Sequence, residues 1–314
     1  MPARILFLDT NHPLLITSLR AKGYVCDEDY SGPKENILAK IAAYDAIVIR
    51  SRFRIEKDML DAAANLKCIA RAGAGMENID VAYAESKGVR CLHAPEGNRD
   101  AVGEQATGML LALMNNLLRA DREVRAGVWI REGNRGYELE GKTVGIIGFG
   151  NMGSAFAQRL RGFNVKILAY DKYKTGFGNE FVSESSMEEI FAEADVLSIH
   201  LPLTEETYHL VNEDFLSRFQ KPIWFINTAR GKNVDTAALV KMLEAGKLRG
   251  ACLDVLEYET VSFENIDAAS LPEPFQQLIR SEKVILSPHI AGWTFESHEK
   301  IAKALLEKMI AVLG

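Results

Sequence analysis

An apolar run that empties into glycines sets the tightest limit on how this chain folds. Val144, Gly145, Ile146 and Ile147 lead directly into Gly148-Phe149-Gly150-Asn151-Met152-Gly153. A parallel strand buried on both faces reads as such a run. A G-x-G-x-x-G that follows it gives a tight turn at Gly148, close backbone approach to a ligand at Gly150, and tight helix packing at Gly153. The helix that opens there presents unpaired N–H groups to an anion. A second apolar run ends at Tyr170-Asp171, 18 residues past Gly153, where a carboxylate can accept hydrogen bonds from a ribose diol. Strand, glycines, helix, strand and acid in this order predict a dinucleotide-binding unit, whereas a Gly-rich turn of an ordinary α/β domain requires no such sequence of parts.

The motif begins at residue 144 of 314. The preceding chain is long enough for a second domain of the usual ~100–200 residues. A composition of 47% hydrophobic and 25% charged residues is that of a soluble globular protein. The net charge of −6 argues against a general nucleic-acid binder. No apolar run reaches the ~18 residues of a membrane-spanning helix, and Met1-Pro2-Ala3-Arg4 before Ile5-Leu6-Phe7-Leu8 is too short for a signal peptide. Cys26, Cys68, Cys91 and Cys252 are scattered without ligand spacing. They read as reduced, mostly buried thiols of a cytoplasmic protein with no metal site.

Strand-like runs at 4–8, 46–50, 67–71 and 89–92 alternate with helical patterns at 14–22, 35–42, 56–63 and 81–87. That rhythm means a parallel sheet with crossover helices. One long helical pattern, 100–126, leads to a polar, Gly- and Arg-rich loop at 127–141. Further strands are expected at 143–147, 165–170, 196–200, 223–227, 250–253 and 284–286, and a closing helix at 296–313. The expected fold is α/β, with two doubly wound parallel-sheet domains. Ligands of such sheets bind beyond the carboxyl ends of the strands. The polar residues there include Arg50-Ser51-Arg52, residues 71–75, His200, Arg230, Asp254, Glu257, Glu259 and His289.

Ordered along the chain stand Arg-Ala-Gly-Ala-Gly-Met-Glu-Asn-Ile-Asp at 71–80, the stretch 98–104, the glycine run at 144–153, His-Leu-Pro-Leu-Thr at 200–204, Asn-Thr-Ala-Arg-Gly at 227–231, Leu-Asp-Val-Leu-Glu-Tyr-Glu at 253–259 and Ser-Pro-His-Ile-Ala-Gly at 287–292. In these pieces the chain strongly resembles the D-isomer-specific 2-hydroxyacid dehydrogenases. The resemblance implies a Rossmann cofactor domain (99–287) inserted into a flavodoxin-like substrate domain (1–98 with 288–314), an active site in the cleft, and a homodimer. It implies NAD as cofactor and a small 2-hydroxy or 2-keto acid as substrate, with no nucleic-acid or membrane partner.

Residue by residue, the resemblance makes Arg230 the substrate clamp, because a guanidinium binds a carboxylate bidentately and polarises the neighbouring carbonyl. His289 becomes the acid–base, and Glu259 the carboxylate that orients it and stabilises its imidazolium form. Glu257, two residues away, is the other candidate for that partnership. Tyr258 and Thr260 stand where the family pattern has prolines, so the loop is expected to be less rigid, and the segment 261–273 also departs from the pattern. The cofactor set is Gly148, Phe149, Gly150, Asn151, Met152, Gly153, Asp171, His200, Pro202, Thr207, Thr228, Ala229, Arg230, Asp254 and His289. Asp254 is expected near the nicotinamide carboxamide and Pro202 near the adenine. The substrate set is Arg50, Ser51, Arg52, Ala72, Gly73, Ala74 and Gly75 with Arg230 and His289. Residues 72–75 resemble a carboxylate-binding nest of backbone N–H groups. Trp293 either lines the substrate cleft or covers the hinge. His12, His93, His209 and His298 carry no motif and are given no role.

Asp171 favours NAD, since its charge repels a 2′-phosphate; Lys172 and Lys174 nearby weaken that argument. Arg50-Ser51-Arg52 resembles the phosphate-reading turn of D-3-phosphoglycerate dehydrogenases. A short enzyme of that kind, serving serine synthesis, is therefore the leading expectation. Glyoxylate/hydroxypyruvate reduction and D-lactate-type activity are the enzymatic alternatives. Formate oxidation is excluded because that branch pairs its histidine with glutamine. An NAD-sensing, corepressor-like scaffold is the reading from another class.

Overall fold

The strands run as short apolar segments whose side chains are buried on both faces, which is what an all-parallel sheet requires. The computed structural model describes residues 2–259 and 271–314; Thr260 and most of the atypical segment 261–273 lie outside them. Two compact units are present, one comprising Met1–Arg99 with Trp293–Gly314 and the other Asp100–Gly292.

The first unit holds five strands, β1 (Arg4–Phe7), β2 (Val25–Glu28), β3 (Ala46–Ile49), β4 (Cys68–Arg71) and β5 (Arg90–Leu92). Their order is β2-β1-β3-β4-β5, and the pairings are parallel. This is the flavodoxin-like order, whose direction reverses between β1 and β3. β2 was not anticipated, because Val-Cys-Asp-Glu has only one fully buried side chain and no apolar run. The closing helix Phe295–Leu313 starts with a capping box between Thr294 and Ser297. It buries Ile301, Leu305 and Met309 against Ile5, Phe7 and Leu15.

The second unit holds β6 (Thr143–Ile147), β7 (Lys166–Tyr170), β8 (Val182–Glu184), β9 (Val196–Ile199), β10 (Ile223–Asn227), β11 (Leu248–Leu253) and β12 (Val284–Leu286). Their order is β12-β11-β10-β9-β6-β7-β8, again parallel. Counted from β6, this is the doubly wound Rossmann order with one strand added, and its switch point lies between β6 and β9. Every residue of β6 is buried. The long helix expected over 100–126 is two helices, Pro95–Met114 and Leu117–Arg125. Asn116 breaks them with φ 54, a left-handed conformation that asparagine tolerates better than most residues. None of the described helices is long and apolar enough to cross a membrane. The four cysteines are free, and burial pushes the Cys68 thiol up to about 12.

Candidate active site

The glycine turn sits at the switch point of the second unit, and its three glycines do three different things. Gly148 has φ 89, and a Cβ there would lie 2.4 Å from the carbonyl oxygen of His200. The ends of β6 and β9 therefore touch through backbone alone. A Cβ on Gly153 would lie 2.1 Å from the Gly148 oxygen, so the helix Asn151–Arg159 packs onto the turn only as glycine. A Cβ on Gly150, in contrast, would meet nothing within 4 Å. That open flank, in front of the helix N-terminus, is the space a pyrophosphate needs.

At the end of β7, Asp171 is already fixed. One carboxylate oxygen accepts from Phe149 N at 2.8 Å, the other from Tyr173 N and Lys174 N at 3.0 and 3.1 Å. Lys172 is drawn away to an ion pair with Glu206, which also accepts from the Tyr173 hydroxyl at 2.8 Å. This contact raises the Lys172 pKa. Buried polar atoms without a partner stand at two neighbouring strand ends, namely His200 Nδ1 and Thr228 Oγ1. Burial pushes the His200 pKa down to about 3, so the ring is neutral, with Nε2 2.9 Å from Ser198 Oγ. An open glycine flank, a preset carboxylate and unsatisfied donors and acceptors fit a dinucleotide. Thr207 spends its hydroxyl on the chain itself, donating to Pro202 O at 2.7 Å and accepting from Thr204 N at 2.8 Å. It shapes the turn beside Pro202, and its carbonyl accepts from Asn233 Nδ2 at 3.1 Å.

His289 and Glu259 are brought together, with Nδ1 2.8 Å from Oε2. A carboxylate only accepts, so Nδ1 carries the proton, and Nε2 is the ring's second nitrogen. Glu259 Oε1 accepts from Leu256 N at 2.5 Å, which fixes the carboxylate on its own loop. Glu257 goes elsewhere: Oε1 is 2.8 Å from His209 Nε2, and Oε2 accepts from Thr236 N at 3.0 Å. The two glutamates therefore serve two different histidines.

His289 has φ 55, a conformation costly for a non-glycine residue. Asp254, 1% exposed, holds it there. Its carbonyl accepts from His289 N at 2.8 Å. Its Oδ1 accepts from Ser287 Oγ and Ile290 N at 2.6 and 2.9 Å, and its Oδ2 from Ala291 N at 2.8 Å. Asp254, expected beside a carboxamide, thus serves as the brace of the His289 loop. Arg230 leaves β10 in extended conformation, half-buried. Asn227 shapes this turn by donating from Nδ2 to Arg230 O at 2.9 Å and accepting from Ala229 N at 2.9 Å.

In the first unit the Arg-Ser-Arg turn does not present a row of free guanidiniums. Arg52 is clamped on backbone carbonyls of Leu8, at 3.0 Å, Asp29 and Gly32, and its side chain is only 14% exposed. The turn's backbone is occupied as well. Asp9 Oδ2 accepts from Arg50 N, Ser51 N and Arg52 N at 2.6, 3.1 and 3.3 Å. Arg50 alone extends its guanidinium, 4.7 Å over the Trp293 ring, whose edge contact with His298 is 4.2 Å. Burial, Arg50 and His12 lower the His298 pKa. Ala72 and Gly73 are pinned by their backbone, Ala72 N to Ile49 O at 2.8 Å and Ala94 N to Gly73 O at 2.9 Å. His93 Nδ1 lies 2.6 Å from Ala74 O. The N–H groups of Ala74 and Gly75 have no partner among the described residues.

In the sequence Ser287 stands only as the first residue of the 287–292 motif, His209 carries no motif, and Asp9 is not singled out. The signal for Asp9 is its place as a carboxylate just past β1. Among the described residues no group of three or more His, Cys, Asp or Glu could hold a metal ion.

Residues 107–291 match the family described as D-isomer specific 2-hydroxyacid dehydrogenase, NAD binding domain. The chain is 38% identical to a glyoxylate reductase of Thermofilum pendens, over 91% of this chain and 83% of that protein. It is 36% identical to a hydroxypyruvate reductase of Thermotoga maritima, over 90% and 89%. To a D-3-phosphoglycerate dehydrogenase of Archaeoglobus fulgidus it is 32% identical, over 94% of this chain and 54% of the relative. Among solved structures, D-lactate dehydrogenase from Aquifex aeolicus complexed with NAD and lactic acid superposes with a TM-score of 0.84 at 28% identity, covering 98% of this chain and 94% of that one. The two doubly wound parallel sheets, the cofactor cradle and these likenesses agree: the chain belongs to the D-isomer-specific 2-hydroxyacid dehydrogenases and is an NAD-dependent oxidoreductase.

Proposed function

We propose that this protein reduces glyoxylate and hydroxypyruvate with NADH. The observation that carries the chemistry is the His289–Glu259 couple, in which a carboxylate holds the imidazole by Nδ1, the arrangement of a general acid–base that works through Nε2. Bound NADH supplies the hydride. Arg230 grips the substrate carboxylate through two parallel hydrogen bonds and draws electron density from the adjacent carbonyl. His289 Nε2 gives its proton to the carbonyl oxygen, and the Glu259 carboxylate stabilises the ring while it is cationic. In the first unit, the N–H groups of Ala74 and Gly75 are the proposed anion contact.

The small, unphosphorylated substrate class is favoured over 3-phosphohydroxypyruvate on two grounds. Arg52, one of the arginines that would read a phosphate, is tied to backbone carbonyls. The glyoxylate and hydroxypyruvate reductases are also more similar to this chain than the phosphoglycerate enzyme. A homodimer is part of the proposal: Leu117, Leu118, Val124 and Trp129 are exposed apolar side chains, Trp129 at 82%, and such clusters mark association surfaces.

The test is NADH oxidation with glyoxylate, hydroxypyruvate, pyruvate and 3-phosphohydroxypyruvate. The expected result is that glyoxylate and hydroxypyruvate have the highest kcat/KM. A preference for 3-phosphohydroxypyruvate of tenfold or more would overturn the substrate assignment. Full turnover in His289→Gln would overturn the acid–base.

A further inference from the structure

The second His–Glu couple of this unit, His209–Glu257, has no place in the chemistry above. We propose that it is the positioning element that holds the Arg230 loop and the Glu259 loop in register. The inference rests on the catalytic reading of Arg230, Glu259 and His289.

Three loops after adjacent strands converge on this couple. His209 follows β9, and the segment it opens is laced to the stretch just past Arg230. His209 N donates to Lys232 O at 2.9 Å and Val211 N to Asn233 O at 3.0 Å. Val211 and Val234 form an isolated parallel bridge. The His209 ring then reaches the loop after β11 through Glu257 Oε1 at 2.8 Å, and Glu257 Oε2 takes Thr236 N, in the first turn of helix Thr236–Glu244. Glu257 thereby ties the β11 loop to both partners at once, and its side chain is only 17% exposed. The same loop carries Glu259 two residues on.

The histidine is held as firmly as its partner. His209 has φ 48, and Tyr208 stacks on its ring at 4.1 Å and 19°. Such left-handed backbone at a non-glycine residue persists only where its surroundings impose it. The β10 and β11 loops have no side chain between them at their closest approach, since a Cβ on Gly231 would lie 1.9 Å from Leu256 O. Their relative position is therefore set by what flanks that contact. Across it runs the His209–Glu257–Thr236 bridge, while the Glu259 bond to Leu256 N stiffens the β11 loop itself. Catalytic geometry is sensitive to such shifts: a displacement of about 1 Å can cost on the order of 100-fold in rate.

The experiment compares wild type, His209→Leu and His209→Gln. Gln can still donate to Glu257; Leu cannot. Three quantities are read: kcat and KM for glyoxylate with saturating NADH, NADH affinity by fluorescence, and amide hydrogen exchange of the cofactor-free protein over residues 230–236 and 254–259. In His209→Leu we expect kcat to fall about tenfold, in line with partial misplacement. NADH affinity should change less than threefold, and both segments should exchange faster. His209→Gln should recover kcat to within threefold of wild type and restore slow exchange. Unchanged kcat or unchanged exchange in His209→Leu overturns the proposal, as does a Gln variant no better than Leu. A wild type without 2-keto acid turnover would instead defeat the catalytic reading, and the exchange measurement would still decide whether the couple holds the loops.

Discussion

Replacing Gly231 by alanine tests the site geometry at its tightest point. The added Cβ would lie 1.9 Å from Leu256 O, 2.0 Å from Leu256 C and 2.5 Å from Glu257 N, all backbone atoms with no rotamer to move. Real Cβ contacts essentially stop at 3.0 Å. The loop after β10 and the loop after β11 must therefore separate by roughly 1 Å, and they carry Arg230 and Glu259. A shift of about that size between reacting groups can lower the rate on the order of 100-fold, about 2.7 kcal/mol of barrier. Overpacking should also lower folding stability by about 1–3 kcal/mol. The assay is kcat/KM for glyoxylate, with NADH affinity and a urea melt on the same preparation. Gly162→Ala is the control, because a Cβ there meets nothing within 4 Å. A Gly231→Ala enzyme that folds and keeps kcat/KM within threefold of Gly162→Ala would refute the argument that these loops must touch.

Acid sensitivity should come in part from His200, whose pKa burial lowers to about 3 from the ordinary value of 6.5. The unfolded chain then binds a proton that the folded one refuses, so stability is fully present above pH 6.5 and is lost as pH falls towards 3, by up to about 1.4 kcal/mol per unit. Urea melts between pH 7 and 4.5 should show this slope, and His200→Asn should flatten it; equal slopes in the two proteins would contradict the assignment. Asp171→Ala removes the carboxylate at the end of β7 and releases Phe149 N, Tyr173 N and Lys174 N. The ratio of kcat/KM for NADPH over NADH should rise at least about tenfold. An unchanged ratio would show that Asp171 does not select the cofactor.

The parts of the fold that could be read in advance are those governed by apolar periodicity and glycine. β1, β3, β4 and β6 appear within a residue or so of their expected bounds, because each is a buried run. The edge strands β2 and β8 escaped notice: Val-Cys-Asp-Glu and Val-Ser-Glu each bury a single residue, and their pairing is set by backbone geometry that composition does not record. Asn116 could not be told from an ordinary helix position until its φ was known. At the site, Glu257 and Glu259 share spacing parity and loop, so only their partners, His209 and His289, separate them. Arg52 misled for a related reason: its partners are carbonyls of Leu8, Asp29 and Gly32, and every residue has a carbonyl.

Asp9 gives the first unit a ligand of its own. Its carboxylate fills the concave row of N–H groups at Arg50, Ser51 and Arg52, at the switch point between β1 and β3 where an open α/β sheet would otherwise receive an external anion. The sheet is thus closed as an anion receptor by a residue 41 positions earlier in the chain than the first of those N–H groups. Shortening that one side chain would vacate the row without touching a strand.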